Sequence, residues 1–555
     1  MVVYDIQIGM YVRTISRKNK DGSTTTYVQL AHNIRDPQSG FARARVLYTF
    51  GRADSLDIDA IRRLVRSLCR FISPEDALEA QGSARALRFI KSAPLGGAYL
   101  LGQIWERLGL QSVLATALKG RDFIFAVEWA ILAMVANRAL APDSKRGVEE
   151  WVSEDVALGN PEPISLQHLY RAMDFLLEHQ EMIQKEIFFA TADLLNLEVD
   201  LLFFDTTTTY VEREEEDGLR RYGHSKDNRP DLPQIVIGLA VTKEGLPVRC
   251  WVLPGNTQDM STVERIKTDL LGWKLSRCIW VMDRGMSSEE NRIVLQKAGG
   301  HYILGEKLRD SQAAHKEALS FQGRYQKVRE NLEVKEIVVG EGERRRRFVL
   351  VFNPEQAKKD KTVREKTLQR IEETIQALGD PEGKSHKKAV CALLSHRAMG
   401  RFIRQTKTGK LRINQAKVRQ EETLDGKYLL STSDDTLSAE DVALGYKQLM
   451  EVERAFRTLK TTLELRPLYH RKDERIQAHV LLCYLSLLLV RIAERETGET
   501  WDHIRSVMER CHLGEFSSKD GRIFQRTELT SEQVNILNLL KIAHPPALYD
   551  VQLKA

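Results

Sequence analysis

At 555 residues the chain is too long for a single hydrophobic core, and its 42% hydrophobic and 29% charged residues exclude a disordered or fibrous protein. Its six cysteines are scattered without a C-x-x-C pair, which excludes a disulfide framework or a cysteine-based metal knuckle. No N-terminal signal segment is visible and the longest apolar run, residues 480–490, is only 11 residues long, so the expectation is a cytoplasmic chain with no membrane partner.

The net charge of +6 is unevenly spread: residues 1–90 carry +5 and residues 310–440 carry +7, which leaves an acidic remainder. Basic blocks of this size suit either nucleic acid or plainly solvated faces. An acidic remainder is odd for a protein that only coats DNA and natural for one that houses a carboxylate site.

In chain order, residues 1–55 alternate like short strands around a Gly/Asp/Ser turn, as in "TTTYVQLAHNI" and "RARVLYTFG". Residues 56–197 show helical periodicity, with "FAVEWAILAMVANRAL" and "SLQHLYRAMDFLLEH" as its clearest stretches. Such a cluster is compatible with a DNA-reading domain and with ordinary helix packing.

From 198 to 309 the pattern becomes strands separated by turns. "LLFFDTTTTYV", "PQIVIGLAVTKEG" and "LPVRCWVLPG" come first, then "SRCIWVMDRG" and "HYILGEK" interleaved with helical stretches. Three consecutive strands followed by strand and helix alternation predict a mixed sheet opening on a meander, the ribonuclease H arrangement, rather than a doubly wound sheet. Residues 310–440 read as a basic, strand-containing insertion, 441–500 as the second part of the core, and 501–555 as a C-terminal region suited to oligomerisation.

Asp205 follows the apolar run "LLFF" and Asp283 follows "IWVM", so each ends a buried strand, where a sheet delivers side chains rigidly into a crevice. Two such aspartates can hold divalent cations, although aspartates also end strands simply as turn formers. Close behind Asp205, the stretch "LRRYGHSKDNRPDLPQ" gathers Arg220, Arg221, His224, Lys226 and Arg229. It reads as a substrate-phosphate loop or as a merely exposed basic loop, with His224 a hydrogen-bonding residue rather than a ligand. The neighbouring "EREEED" is a solvated run. Arg284 directly follows the second aspartate.

The stretch "LGYKQLMEVERAFRTLKTTLELRP" (444–467) reads as one helix carrying Glu451 and Glu453. At about 100° per residue, Glu453, Arg457 and Lys460 all fall within about 40° of Tyr446, beside an apolar stripe of Leu449, Val452, Phe456, Leu459 and Leu463. Glu451 falls nearly opposite, toward solvent. Glu453 is therefore the glutamate at the border of core and cleft, unless the helix is simply amphipathic with intrahelical ion pairs.

Taken together, "FFDTTTTYV", "LRRYGHSKDNRPDLPQIVIGLAV", "LPGNTQDMST", "VMDRGMSSEEN" and "YKQLMEVERAFRTLK" followed by "LELRPLYHRKDERIQAHV" resemble DDE transposases of bacterial insertion sequences, in the IS-four superfamily. The family signature Y-x2-R-x3-E-x6-K falls on Tyr446, Glu453 and Lys460, with Leu449 standing where the signature has arginine. Arg457 or Arg454 is the candidate replacement.

The resemblance implies a ribonuclease H-like α/β core, interrupted before the glutamate helix, with an N-terminal strand-plus-helical DNA-binding region. It implies the triad Asp205, Asp283 and Glu453 holding two Mg²⁺ ions, with Mn²⁺ able to substitute and Asp205 bridging both. It assigns DNA phosphates to Tyr446, Arg457, Lys460, Arg284 and the loop residues His224, Lys226 and Arg229. The implied activity is binding of inverted-repeat ends, metal-dependent cleavage and strand transfer into target DNA, by at least a homodimer in the synaptic complex, in the cytoplasm at the nucleoid. Family members whose insertion grips the transposon end form a hairpin intermediate, but no tryptophan falls in 310–440 and nothing selects a stacking aromatic there. The alternatives are a domesticated DNA-binding protein without the reaction and a stand-alone ribonuclease H-like nuclease.

Overall fold

A computed structural model describes residues 9–35, 42–68, 71, 88–159, 163–195, 200–273, 275, 278–309, 312–342, 345–378, 384–518 and 521–553. The chain divides into two compact units: 1–91 with 515–524 and 550–555, and 92–514 with 525–549.

In the first unit β1 (Met10–Lys18), β2 (Thr24–Arg35) and β3 (Ala42–Arg52) form an antiparallel meander, followed by the helix Ile58–Leu68. The threonine-rich, alternating segments favour extended backbone. Further along, β4 (Arg88–Pro94) precedes the long helical region.

The second unit is mixed α/β, a large mixed sheet flanked by helices. β5 (Leu201–Tyr210), β6 (Gln234–Thr242) and β7 (Pro247–Pro254) are an antiparallel meander; β8 (Ile279–Met282) runs parallel to β5, and β9 (His301–Glu306) runs parallel to β8. The meander followed by strand and helix alternation is the order its sequence suggested.

The segment read from the sequence as an insertion continues this sheet. β10 (Gln326–Arg329), β11 (Leu332–Val339) and β12 (Arg346–Phe352) follow β9 in the chain, β13 (Ile403–Gln405) and β14 (Leu411–Ile413) pair apart, and β15 (Lys427–Thr432) adds antiparallel to β9. The result is nine strands in the order β10-β11-β12-β15-β9-β8-β5-β6-β7. The remaining strands β16 (His512–Ser518), β17 (Gly521–Arg526) and β18 (Leu548–Leu553) join β4 in a four-stranded sheet.

Each face of the large sheet has its own core. Phe203, Ile279 and Val281 pack with the helices Val127–Leu140, Leu166–Glu178 and Asp473–Thr497. Leu202, Phe204, Trp280 and Met282 pack with residues of Asp259–Leu271 and Glu289–Gln296 on the other face. A strand period of two makes this division. The helices between 96 and 194 therefore share a core with the sheet. The helix Asp473–Thr497 is long and apolar enough to cross a membrane by composition alone, yet 89% of its most apolar window is buried against these neighbours.

The stretch 444–467 is not one helix. It runs as Ala439–Lys447, a tight turn at 448–449, Met450–Arg457 and a wide turn at Thr458–Thr462. The Leu449 N–H bonds to Tyr446 O and the Glu451 N–H to Gln448 O, a three-residue closure that overwinds the chain, while the Leu463 N–H bonds to Thr458 O, a five-residue closure that underwinds it. A constant 100° per residue fails at both places. The apolar stripe survives: Leu449, Val452, Phe456, Leu459 and Leu463 are all buried.

Candidate active site

The two aspartates meet through parity and register. Residues 203 and 205 point to one face of β5, and 281 and 283 to the same face across β8, because alternate residues share a face. The parallel register pairs Phe203 with Val281 and Phe204 with Met282, and Asp205 and Asp283 each follow directly on the last pair. That face carries the Glu453 helix, whose Val452, Ala455 and Phe456 belong to the same core as Phe203. Asp205, Asp283 and Glu453 accordingly line one open cavity of about 550 Å³.

Tyr446 also lines this cavity. Its hydroxyl donates to Asp283 Oδ1 at 3.0 Å. The ring reaches there because the neighbouring strand has Gly305: a Cβ at that position would lie 2.3 Å from the tyrosine hydroxyl oxygen. Burial and the adjacent Asp283 carboxylate push the Tyr446 hydroxyl far above its usual range, so it stays a donor.

Around Asp205 the decisive neighbours are Lys226 and Asp259. Lys226 Nζ donates to the Thr206 carbonyl at 2.8 Å and hydroxyl at 2.9 Å, lies 3.3 Å from Asp259 Oδ2, and stands 4.0 Å from Asp205 Oδ1. Asp259, the first residue of its helix, accepts from the Thr206 hydroxyl. Burial pushes the Asp205 carboxyl up to about 6; Lys226 and the Thr206 N–H oppose this, and the like charges of Asp283 and Asp259 add to it.

A fourth carboxylate in the cavity wall, Glu306, is already committed. It forms a buried ion pair with Arg292 at 2.8 Å, accepts from Ser287 and Ser431, and has His315 beside it. Burial opposes its charge, but these partners outweigh it and hold its pKa down to about 2.

The other sequence candidates separate. Arg284 lines the cavity. Lys460 does not: the wide turn carries it to Asp227 Oδ1 at 2.7 Å, where Arg466 also sits at 2.7 Å. Arg457 and His224 are exposed and outside the lining. Arg229 pairs with Asp231 and stacks over Tyr210, and Arg220 is buried against Asp217. Glu451 is half-buried and paired with Arg454 at 2.9 Å rather than free in solvent.

Leu449 is buried and lines the cavity, and neither Arg454 nor Arg457 does, so neither takes the place of the signature arginine there. Lys447 and Lys427 supply cationic lining instead. Lys447, Asp227, Arg466 and Asp259 were not singled out by the sequence. Only the "SKD" and "QDMST" stretches flagged the neighbourhood of Asp227 and Asp259.

Hard carboxylate oxygens in one cavity are the donor set that divalent cations prefer. Among the described residues, no three His, Cys, Asp or Glu side chains yet stand close enough together to hold a metal ion. The donor chemistry of the cavity fits such ions.

Residues 199–489 match the family model of the transposase DDE domain, and residues 12–77 match the N-terminal domain of IS1634 family transposases. No curated protein matches at a significant level. The fold is remotely similar to the piggyBac transposase in a synaptic complex with hairpin DNA solved by electron cryomicroscopy, with TM-score 0.34 and 11% identity over 81% of this chain and 82% of that one. The first match spans more than half of the chain and overlies both aspartate strands and the glutamate helix, so this protein belongs to the DDE transposases of insertion sequences, metal-dependent enzymes that act on DNA.

Proposed function

We propose that Asp205, Asp283 and Glu453 are the catalytic carboxylates, holding two Mg²⁺ ions that Mn²⁺ can replace. The observation that carries the reading is the register of β5 on β8, which sets the two aspartates side by side on the face bearing Glu453. Bound there, two divalent ions would supply activation of the attacking oxygen and charge stabilisation for the leaving oxygen at phosphorus. The protein's own part is positional. Tyr446 holds Asp283 by its hydroxyl, and Arg284 and Lys447 on the cavity wall receive DNA phosphates.

The core is read as ribonuclease H-like, on its meander followed by two parallel strands. The region matching the IS1634 N-terminal domain, with the adjoining helices, is assigned to reading inverted-repeat ends, and residues 501–555 to assembly of a homodimer that synapses two ends. Cleavage at each end is followed by strand transfer into target DNA, in the cytoplasm at the nucleoid.

The test uses the full-length protein, labelled inverted-repeat DNA and Mg²⁺. Nicking at the transposon end is expected, and Asp205→Ala, Asp283→Ala and Glu453→Ala each abolish it while retaining DNA binding. Undiminished cleavage by any one of these variants removes that residue from the triad.

A further inference from the structure

The strands β1, β2 and β3 of the first unit carry seven Lys or Arg residues and no Asp or Glu. Their register divides the side chains between two faces of unlike chemistry. Met10, Val12, Leu30 and Tyr48 share one face, since Val12 pairs with Leu30 and Leu30 with Tyr48. The other face carries Tyr11, Arg13, Gln29, Asn33 and Thr49, since Arg13 pairs with Gln29 and Gln29 with Thr49.

On this second face the polar side chains are tied to one another across the strands. Arg13 donates through Nε and Nη2 to Gln29 Oε1 at 3.2 and 3.1 Å, and Gln29 Nε2 donates to Thr49 Oγ1 at 3.4 Å. The Tyr11 hydroxyl donates to Asn33 Oδ1 at 2.9 Å. These ties leave hydrogen-bonding capacity over: the Arg13 guanidinium has further N–H groups to give, and Asn33 keeps its amide N–H groups and a carbonyl lone pair. None of the five side chains is buried, and Arg17, farther along the same face, is exposed.

We infer that this polar face is the surface that reads the inverted repeat, entering the major groove as the two-stranded ribbon of β1 and β2, with Arg13 on guanine and Asn33 on adenine. Arginine matches the O6 and N7 acceptors of guanine, asparagine matches N6 and N7 of adenine, and a groove about 12 Å wide admits such a ribbon. Gln29 and Tyr11 hold the two readers in place before DNA arrives, so less side-chain freedom is lost on binding. Strands with cations and no carboxylate suit a polyanion. The inference rests on the assignment of the N-terminal region to end recognition made above, and places that recognition on a sheet face instead of a helix.

The test is equilibrium binding of the full-length protein to a duplex carrying the terminal inverted repeat and to a scrambled duplex of the same composition. Arg13→Lys keeps the charge and loses the planar fork. This variant and Asn33→Ala are each expected to weaken binding to the repeat about tenfold and to bind the scrambled duplex as the wild type does, which also shows that they are folded. With single-pair substitutions along the repeat, one G·C pair should matter to the wild type and not to Arg13→Lys, and one A·T pair to the wild type and not to Asn33→Ala. Arg17→Ala should instead weaken both duplexes alike and reduce the slope of log affinity against log salt by about 0.9.

Equal losses on the two duplexes from Arg13→Lys and Asn33→Ala overturn the inference, because the face then touches only the DNA backbone. His32 and Arg45 pair with each other on the face of Met10. Discrimination lost in His32→Ala or Arg45→Ala and kept in Arg13→Lys and Asn33→Ala also overturns it, while leaving the N-terminal region as the reader. Discrimination that survives all four variants removes that region from end recognition altogether.

Discussion

The Tyr446 hydroxyl donates to Asp283 Oδ1 across 3.0 Å, joining residues 163 positions apart through a gap that Gly305 leaves open. The helix Ala439–Lys447, just ahead of the one that carries the glutamate, thus holds the second aspartate. Hydrogen bonds to a charged group contribute about 1.5–3 kcal/mol, so Tyr446→Phe should slow end cleavage roughly tenfold to a hundredfold with DNA affinity preserved. Single-turnover cleavage beside a binding titration measures both; an unchanged rate would mean that Asp283 is oriented without the tyrosine.

The two glutamates of this helix should behave unequally. Glu453 lines the cavity, whereas Glu451 is paired with the exposed Arg454. Glu453→Gln is expected to lose more than about a hundredfold in cleavage, since metal-ion charge stabilisation is worth several kcal/mol. Glu451→Ala should keep near-normal cleavage and change stability by at most ~1 kcal/mol, the range for a partly exposed ion pair. Cleavage assays and thermal melts of the two variants check this.

Glu306 predicts a pH dependence of stability. Its pKa is held near 2 in the fold, below the ordinary value of 4.5, so its charged form stabilises the native state. The contribution is complete above about pH 4.5 and is lost as pH falls from there toward 2. Glu306→Gln leaves buried Arg292 with only the exposed Glu289 as counter-charge and should destabilise by about 3–5 kcal/mol at neutral pH. Across that acid window the variant's stability should fall less steeply than the wild type's, which denaturant titrations at several pH values would reveal.

Arg284 and Lys447 line the cavity in which Leu449 replaces the signature arginine. If they hold phosphates, Arg284→Ala and Lys447→Ala each reduce the slope of log affinity against log salt by about 0.9, uniformly across DNA sequences. Arg457→Ala, outside the cavity, should leave the slope nearly unchanged. Filter binding over a salt series distinguishes them, and an unaltered slope in both cavity variants would move the phosphate contacts elsewhere.

By itself the sequence determined the local patterns: the meander ahead of a parallel pair, aspartates ending the runs "LLFF" and "IWVM", and an apolar stripe beside Glu453. These follow from periodicities of two and of about 3.6, which neighbouring residues encode. The place of Glu451 was not legible: constant helical steps set it in solvent, whereas it is half-buried and paired with Arg454.

The tertiary structure decided what depends on partners distant in the chain. Lys460 lies on the Glu453 stripe only for an ideal helix. Lys460 sits in the underwound turn at 458–462 and meets Asp227, and helix geometry of that kind is set by packing and not by residue order. The insertion's strands extend the core sheet through the pairing of β15 with β9, a contact whose partner strand no local pattern names. Asp259, Lys447 and Arg466 acquire their places because side-chain chemistry fixes what a residue can bind, while the fold alone fixes what it meets.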